Sequence, residues 1–138
     1  MHPDFARAIE LFNRGDYFAA AEHFETALRS ADSDLKDLAS ALNRVAAALH
    51  LRFSHGARQG AINLLSQALL ALDELKPARA GVDVDRLYAD IDSFKEQVRA
   101  TPKDQLVGIR HRARIYFERR HAPRIHLIDV SPTAPSSS

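Results

Sequence analysis

The chain has 138 residues, no cysteine and a formal net charge of +1 at pH 7. That length suits one domain with a real core, the missing thiols exclude disulfides and thiolate metal sites, and the near-neutral charge excludes a surface that is cationic all over. The start MHPDFARAIELF lacks the basic head and apolar run of a signal peptide, and no stretch approaches about 18 apolar residues, so a cytoplasmic protein with no membrane span is expected.

The first helical segment repeats Phe5, Ile9 and Phe12 at steps of four and three, with Pro3 in a first turn where its missing N–H is not needed. Gly15 breaks that helix, and Asp16 is placed to cap the next. The second segment carries Tyr17, Ala20, Ala21, Phe24, Ala27 and Leu28 on one stripe, with Glu22, Glu25 and Arg29 on the wet side. After the turn cluster ADSDLKD comes a third, with Leu35, Leu38, Leu42, Val45, Leu49 and Phe53 inward. Its run from Val45 to Leu49 is apolar all round, which makes it the central helix. Ser54-His55-Gly56 breaks it. The fourth segment uses Ala61, Leu64, Leu65, Ala68, Leu72 and Leu75. Pro77 and Gly81 make the next loop. Asp83 caps a fifth helix whose stripe is Val84, Leu87, Ile91, Phe94 and Val98.

Beyond residue 100 two patterns compete. Thr101-Pro102-Lys103-Asp104 has the shape of a helix start. Yet Ile109, Ala113, Ile115 and Phe117 alternate with Arg110, Arg112 and Arg114, as in a strand. The cap and the length favour a short helix that gives way to extended chain. Pro123 ends what precedes it, Arg124 to Val130 reads as extended, and SPTAPSSS reads as disordered.

One block occurs twice. Gly15 to Leu28 aligns without a gap on Gly56 to Leu69, matching Gly15 to Gly56, Ala20 to Ala61, Ala27 to Ala68 and Leu28 to Leu69, and setting Leu65 where Phe24 stands. A repeat of this size marks one turn-and-helix unit used twice. The expected fold is therefore all-α: a five-helix bundle of two related hairpins and a closing helix, with no strand in the first 100 residues. The bundle is assigned to residues 1–100, a basic extension packed on it to 101–130, and a disordered tail to 131–138. The alanine-rich stripes imply helix axes at the short end of about 8–10 Å.

Two sets of residues are candidates for function. Asn13, Tyr17 and Asn43 are polar groups near helix interfaces, and Glu22 with Glu25 forms an acidic step of three on one helix. Together they read as a small polar site. The plainer alternatives are that Asn13 satisfies open backbone groups at the end of the first helix while the Tyr17 hydroxyl finds a partner across the hairpin, and that the two acids pair with arginines such as Arg44 or Arg58. Bundle metal sites use a Glu-x-x-His step and a second acidic pair. Here the Glu22-x-x-Glu25 step lacks the histidine and helices three and four show no second acidic pair, so no metal and no cofactor is expected. His23, His50 and His55 show no spacing to a nucleophile and an orienting acid, so enzyme activity is unsupported rather than excluded. The second set is Arg110, Arg112, Arg114, Arg119, Arg120 and Arg124. Residues 101–138 carry seven Lys/Arg against three Asp/Glu, and residues 1–100 twelve against fifteen. These arginines read either as clamps onto an acidic bundle or as a site for an anionic ligand or nucleic acid. Tyr116 and Phe117 alone interleave them, which is little for a base-stacking platform.

Gly15-Asp16-Tyr17 with Ala20, Phe24, Ala27 and Leu28 resembles the second helix of a tetratricopeptide repeat. That likeness implies a non-enzymatic module that binds a protein partner or itself. Phe12-Asn13-x-Gly15-x-Tyr17-Phe18, then Glu22 and Glu25, then Gly56-x-x-x-Gly60-Ala61, then Gly81-Val82-Asp83-Val84 resembles domain-of-unknown-function family 309, as does the ending Pro123-Arg124-Ile125-His126-Leu127. The resemblance implies a small all-helical protein with no established activity. This chain departs from the family in having Ala21-Glu22 for a His-Glu pair, Leu28 for a tryptophan and Gly56-Ala57 for Gly-Asn. Any polar site built on that histidine carries over only in part.

Overall fold

The computed structural model describes residues 1–30, 32–101 and 109–128. Among them run six helices: α1 (Pro3–Asn13), α2 (Tyr17–Ser30), α3 (Ser33–His55), α4 (Gln59–Asp73), α5 (Val84–Arg99) and α6 (Ile109–Arg120). Local chemistry sets their ends. Asp32 and Asp83 cap α3 and α5 by accepting from the Leu35 and Arg86 amides, each at 3.1 Å. Asp16 is a weaker cap than its position suggested. Its carboxylate reaches the Ala19 amide at 3.4 Å, while its backbone carbonyl takes the Ala20 amide at 3.0 Å. Gly15 and Gly56 follow α1 and α3 with φ of 88° and 67°, the left-handed region that lets a glycine turn the chain out of a helix.

The helices pack in chain order, α1 on α2, α2 on α3, α3 on α4 and α4 on α5, which leaves α3 in the middle. Its Leu38, Leu42, Val45 and Leu49 are fully buried, and so are Ala39, Ala41, Ala46 and Ala48, while Ala47 is half-buried. The duplicated block keeps its roles in both copies. Ala20 and Ala61, Phe24 and Leu65, and Ala27 and Ala68 all have no exposed surface. Phe24 meets Phe5 edge to face at 5.7 Å, which ties the first hairpin together. At Gly60 a Cβ would come within 2.9 Å of Leu51 Cδ2, so α4 crosses α3 closely there.

The expectation of no strand before residue 100 is overturned at one loop. Ala78–Arg79 (β1) pairs antiparallel with Val82–Asp83 (β2). Ala80 and Gly81 turn the hairpin with φ of 51° and 82°, the doubly positive pair that matches strand twist. Two residues a side are too few to show alternation in a sequence. The C-terminal segment extends this ladder. Leu127 bridges Val82, the Asp83 amide donates to His126 O at 2.9 Å, and the Ile128 amide donates to Gly81 O at 2.8 Å. The residues alternating over 109–117 are helical, in α6. The helix start read at Thr101-Pro102-Lys103-Asp104 lies, from Pro102 on, outside the described residues, as do residues 131–138.

Candidate anion-binding site

The site forms where the C-terminal segment meets the turn between α1 and α2. Three contacts hold the segment there. Arg52 on α3 and Glu118 on α6 are both buried, and they join in a fork: Nε to Oε1 and Nη2 to Oε2, each 2.8 Å. Arg52 Nη1 also donates to Gly56 O at 3.3 Å, closing the C-terminus of α3. Asn13, at the end of α1, binds the backbone of Ile125 in both directions. Its Nδ2 donates to Ile125 O at 2.9 Å and its Oδ1 accepts the Ile125 amide at 2.8 Å. Arg119 donates to Gly15 O at 2.7 Å and lies over the rings of Tyr17 and Phe53, at 5.6 and 5.4 Å.

These contacts frame a cavity of about 260 Å3. Its floor is Phe12, Ala122 and Pro123, and its polar wall is Tyr17 with Arg14, Arg119, Arg120 and Arg124. Among the described residues none that lines it is acidic. Arg119 is occupied by Gly15 and the two rings. The side chains of Arg14, Arg120 and Arg124 make no ion pair and no hydrogen bond to protein among the described residues. Tyr17 is buried, packed edge-on to Phe12 at 5.2 Å and tilted against Phe53 at 5.7 Å. Burial pushes its hydroxyl above the usual tyrosine range, and the charges of Arg119 and Arg124 pull it part of the way back. A neutral hydroxyl and three uncommitted guanidiniums can together donate to several oxygens of one anion.

Each expected set is divided by the structure. Of the polar set, Asn13 and Tyr17 reach this corner, Asn13 as a tail clasp rather than a cap on its own helix. Asn43 instead donates to Ala21 O at 2.8 Å across the α2–α3 interface. Glu22 and Glu25 are exposed on α2, and neither pairs with Arg44 or Arg58. Arg58 turns the other way, donating to Arg99 O at 2.6 Å and Thr101 O at 3.1 Å at the end of α5. Among the described residues no group of His, Asp and Glu could hold a metal ion. His50 Nδ1 is 3.2 Å from Ser54 Oγ, but its ring neighbours are Phe18 and His55 rather than a carboxylate.

Of the arginine set, Arg119, Arg120 and Arg124 line the corner. Arg112 is exposed elsewhere, Arg114 lies toward α5, and the Arg110 side chain is outside the described residues. An every-second-residue spacing makes one face on a strand, whereas on a helix it spreads over the surface. The clamp onto an acidic bundle is also reversed in sign. None of the described tail arginines pairs with a bundle carboxylate, and the buried ion pair uses a tail acid with a bundle arginine. Sequence reading missed Arg52 and Glu118. The signals were an arginine three residues beyond the inward Leu49, and the one acid between Arg110 and Arg124.

Among the described residues no helix is long and apolar enough to cross a membrane. No curated protein and no solved structure matches the chain. The family model Domain of unknown function (DUF309) matches residues 5–64, which run from α1 into α4. That stretch holds Asn13, Arg14, Gly15 and Tyr17 but none of the tail arginines, so the match spans one side of the corner alone. Over residues 5–64, the two helical hairpins up to the middle of α4, the chain is similar to the DUF309 family.

Proposed function

We propose that the chain is a non-enzymatic binding module whose ligand is a compact anion bearing phosphate or carboxylate oxygens, held at the corner between the α1–α2 turn and the C-terminal segment. One observation carries this reading: the side chains of Arg14, Arg120 and Arg124 line one cavity that, among the described residues, has no acidic lining residue and offers them no hydrogen-bond or ion-pair partner. Uncompensated guanidiniums gathered from both ends of a chain repel one another, and an anion relieves that repulsion. Each hydrogen bond from a guanidinium to an anion contributes about 1.5–3 kcal/mol.

Calorimetric titration of the full chain with sodium phosphate at low ionic strength tests the proposal. Arg120→Ala and Arg124→Ala should each weaken binding by about tenfold or more, and added salt should weaken it further. A titration with no heat and no spectral change would overturn the proposal.

A second reading, docking of a protein partner or self-association, is favoured by a different place. An apolar groove of about 630 Å3 lies between α5 and α6, walled by Ala100, Thr101, Ala113 and Phe117. Tyr116 and Phe117 are both largely exposed beside it. The basic composition of α6 suits an acidic amphipathic helix. Phe117→Ser would abolish association if this groove is the docking surface, and sedimentation velocity with and without an acidic helical peptide reads that directly.

A further inference from the structure

The corner cavity does not stand alone. A second cavity of about 360 Å3 shares Ala122, Pro123 and Arg124 with it, and Arg124 is an exposed side chain on the border of both. The chemistry of the two is different. The first offers guanidiniums and no acid. The second adds Arg86, Asp90, Ser93, Gln97 and His121, a mixed set in which Asp90 is an acceptor. Asp90 makes no ion pair or hydrogen bond among the described residues. A carboxylate with open lone pairs repels a second anionic group and takes hydroxyl or amino protons. Ser93 and Gln97 lie three and seven residues from Asp90 on α5, so all three share one face of that helix.

Resting on the anion reading above, we infer that the two cavities hold one ligand, a sugar phosphate. Its phosphate lies among Arg14, Arg120 and Arg124, and its hydroxyls lie on Asp90, Ser93 and Gln97. The inference is tested by titrating the full chain with inorganic phosphate, ribose 5-phosphate and adenosine monophosphate. Ribose 5-phosphate is expected to bind about tenfold or more tighter than phosphate, the gain of a few added hydrogen bonds. Asp90→Ala should remove most of that gain and leave phosphate affinity within about twofold, since only the hydroxyl side is touched. Ser93→Ala, a milder change on the same helix face, should remove part of it. Adenosine monophosphate is expected to bind no tighter than ribose 5-phosphate, since the second cavity is matched to hydroxyls rather than to a base. Equal affinity for phosphate and ribose 5-phosphate would overturn the sugar inference while leaving the anion site intact. A nucleotide that binds tightly and ignores Asp90→Ala would overturn it too. No binding by any of the three would remove the anion reading itself.

Discussion

At Gly15 a single residue does two jobs. Its φ of 88° turns the chain between α1 and α2, and its carbonyl receives Arg119. Alanine there is strained by roughly 1–2 kcal/mol in the left-handed region, and its Cβ would stand 3.2 Å from Arg119 Nη2. We predict that Gly15→Ala lowers stability by at least that amount and loosens the corner, read by thermal melting and by phosphate titration. A melting temperature equal to wild type would show that the turn tolerates a side chain. Tyr17 gives a pH signature. Its hydroxyl titrates above the ordinary value because burial disfavours the phenolate. The folded form therefore holds its proton more tightly than the unfolded form. This contribution is complete below about pH 10, the unfolded value, and is lost as pH rises through the higher folded one. Urea titrations on either side of about pH 10 should show wild type losing more stability than Tyr17→Phe as the solution becomes alkaline. Parallel losses would place the Tyr17 ring in water.

Between elements, the Arg52–Glu118 fork is the strongest single tie of α6 to the bundle. Both groups are desolvated, so removing one leaves the other buried and uncompensated. Glu118→Ala should cost about 3–5 kcal/mol, and the double change Arg52→Met with Glu118→Leu should recover most of it, because apolar groups of similar size tolerate the site. Chemical denaturation of the single and double variants decides this. A single variant costing less than about 1 kcal/mol would put the pair at the level of a surface salt bridge. This tie also marks how far the sequence could be read. Phe24 and Leu65 were legible as core because apolar spacing on a helix is a local pattern, and both are fully buried. Asp83 was legible as a cap for the same reason. Arg52 with Glu118, and Asn13 with Ile125, lie 66 and 112 residues apart. No local pattern encodes such pairings, and a charge count pointed to the opposite sign of docking. The corner was half legible. Tyr17, Arg119, Arg120 and Arg124 stood out one by one, Arg14 did not, and only the docking of the tail brings them to one cavity.

Across the whole molecule, the C-terminal segment acts as a strap whose order the ligand should control. It touches the bundle at three distant places: Arg52 on α3, Asn13 at the end of α1, and β2 through the bonds at Gly81 and Asp83. Most of the buried apolar surface belongs to α1 to α5, and Ile125 is the tail's one member of the core among the described residues. A segment with so little apolar burial opens more easily than the core. An anion that bridges Arg14 to Arg120 and Arg124 binds only while the strap is closed, so it must stabilise the closed form. We predict that the Ile125 and Ile128 amides and the Asp83 amide exchange with deuterium together, and ahead of the α3 amides. Phosphate at about 100 times its dissociation constant should slow that exchange by about a hundredfold, with no comparable change in α3. Exchange that ignores phosphate in a protein that demonstrably binds it would detach the strap from the site and leave Arg14 without its partners.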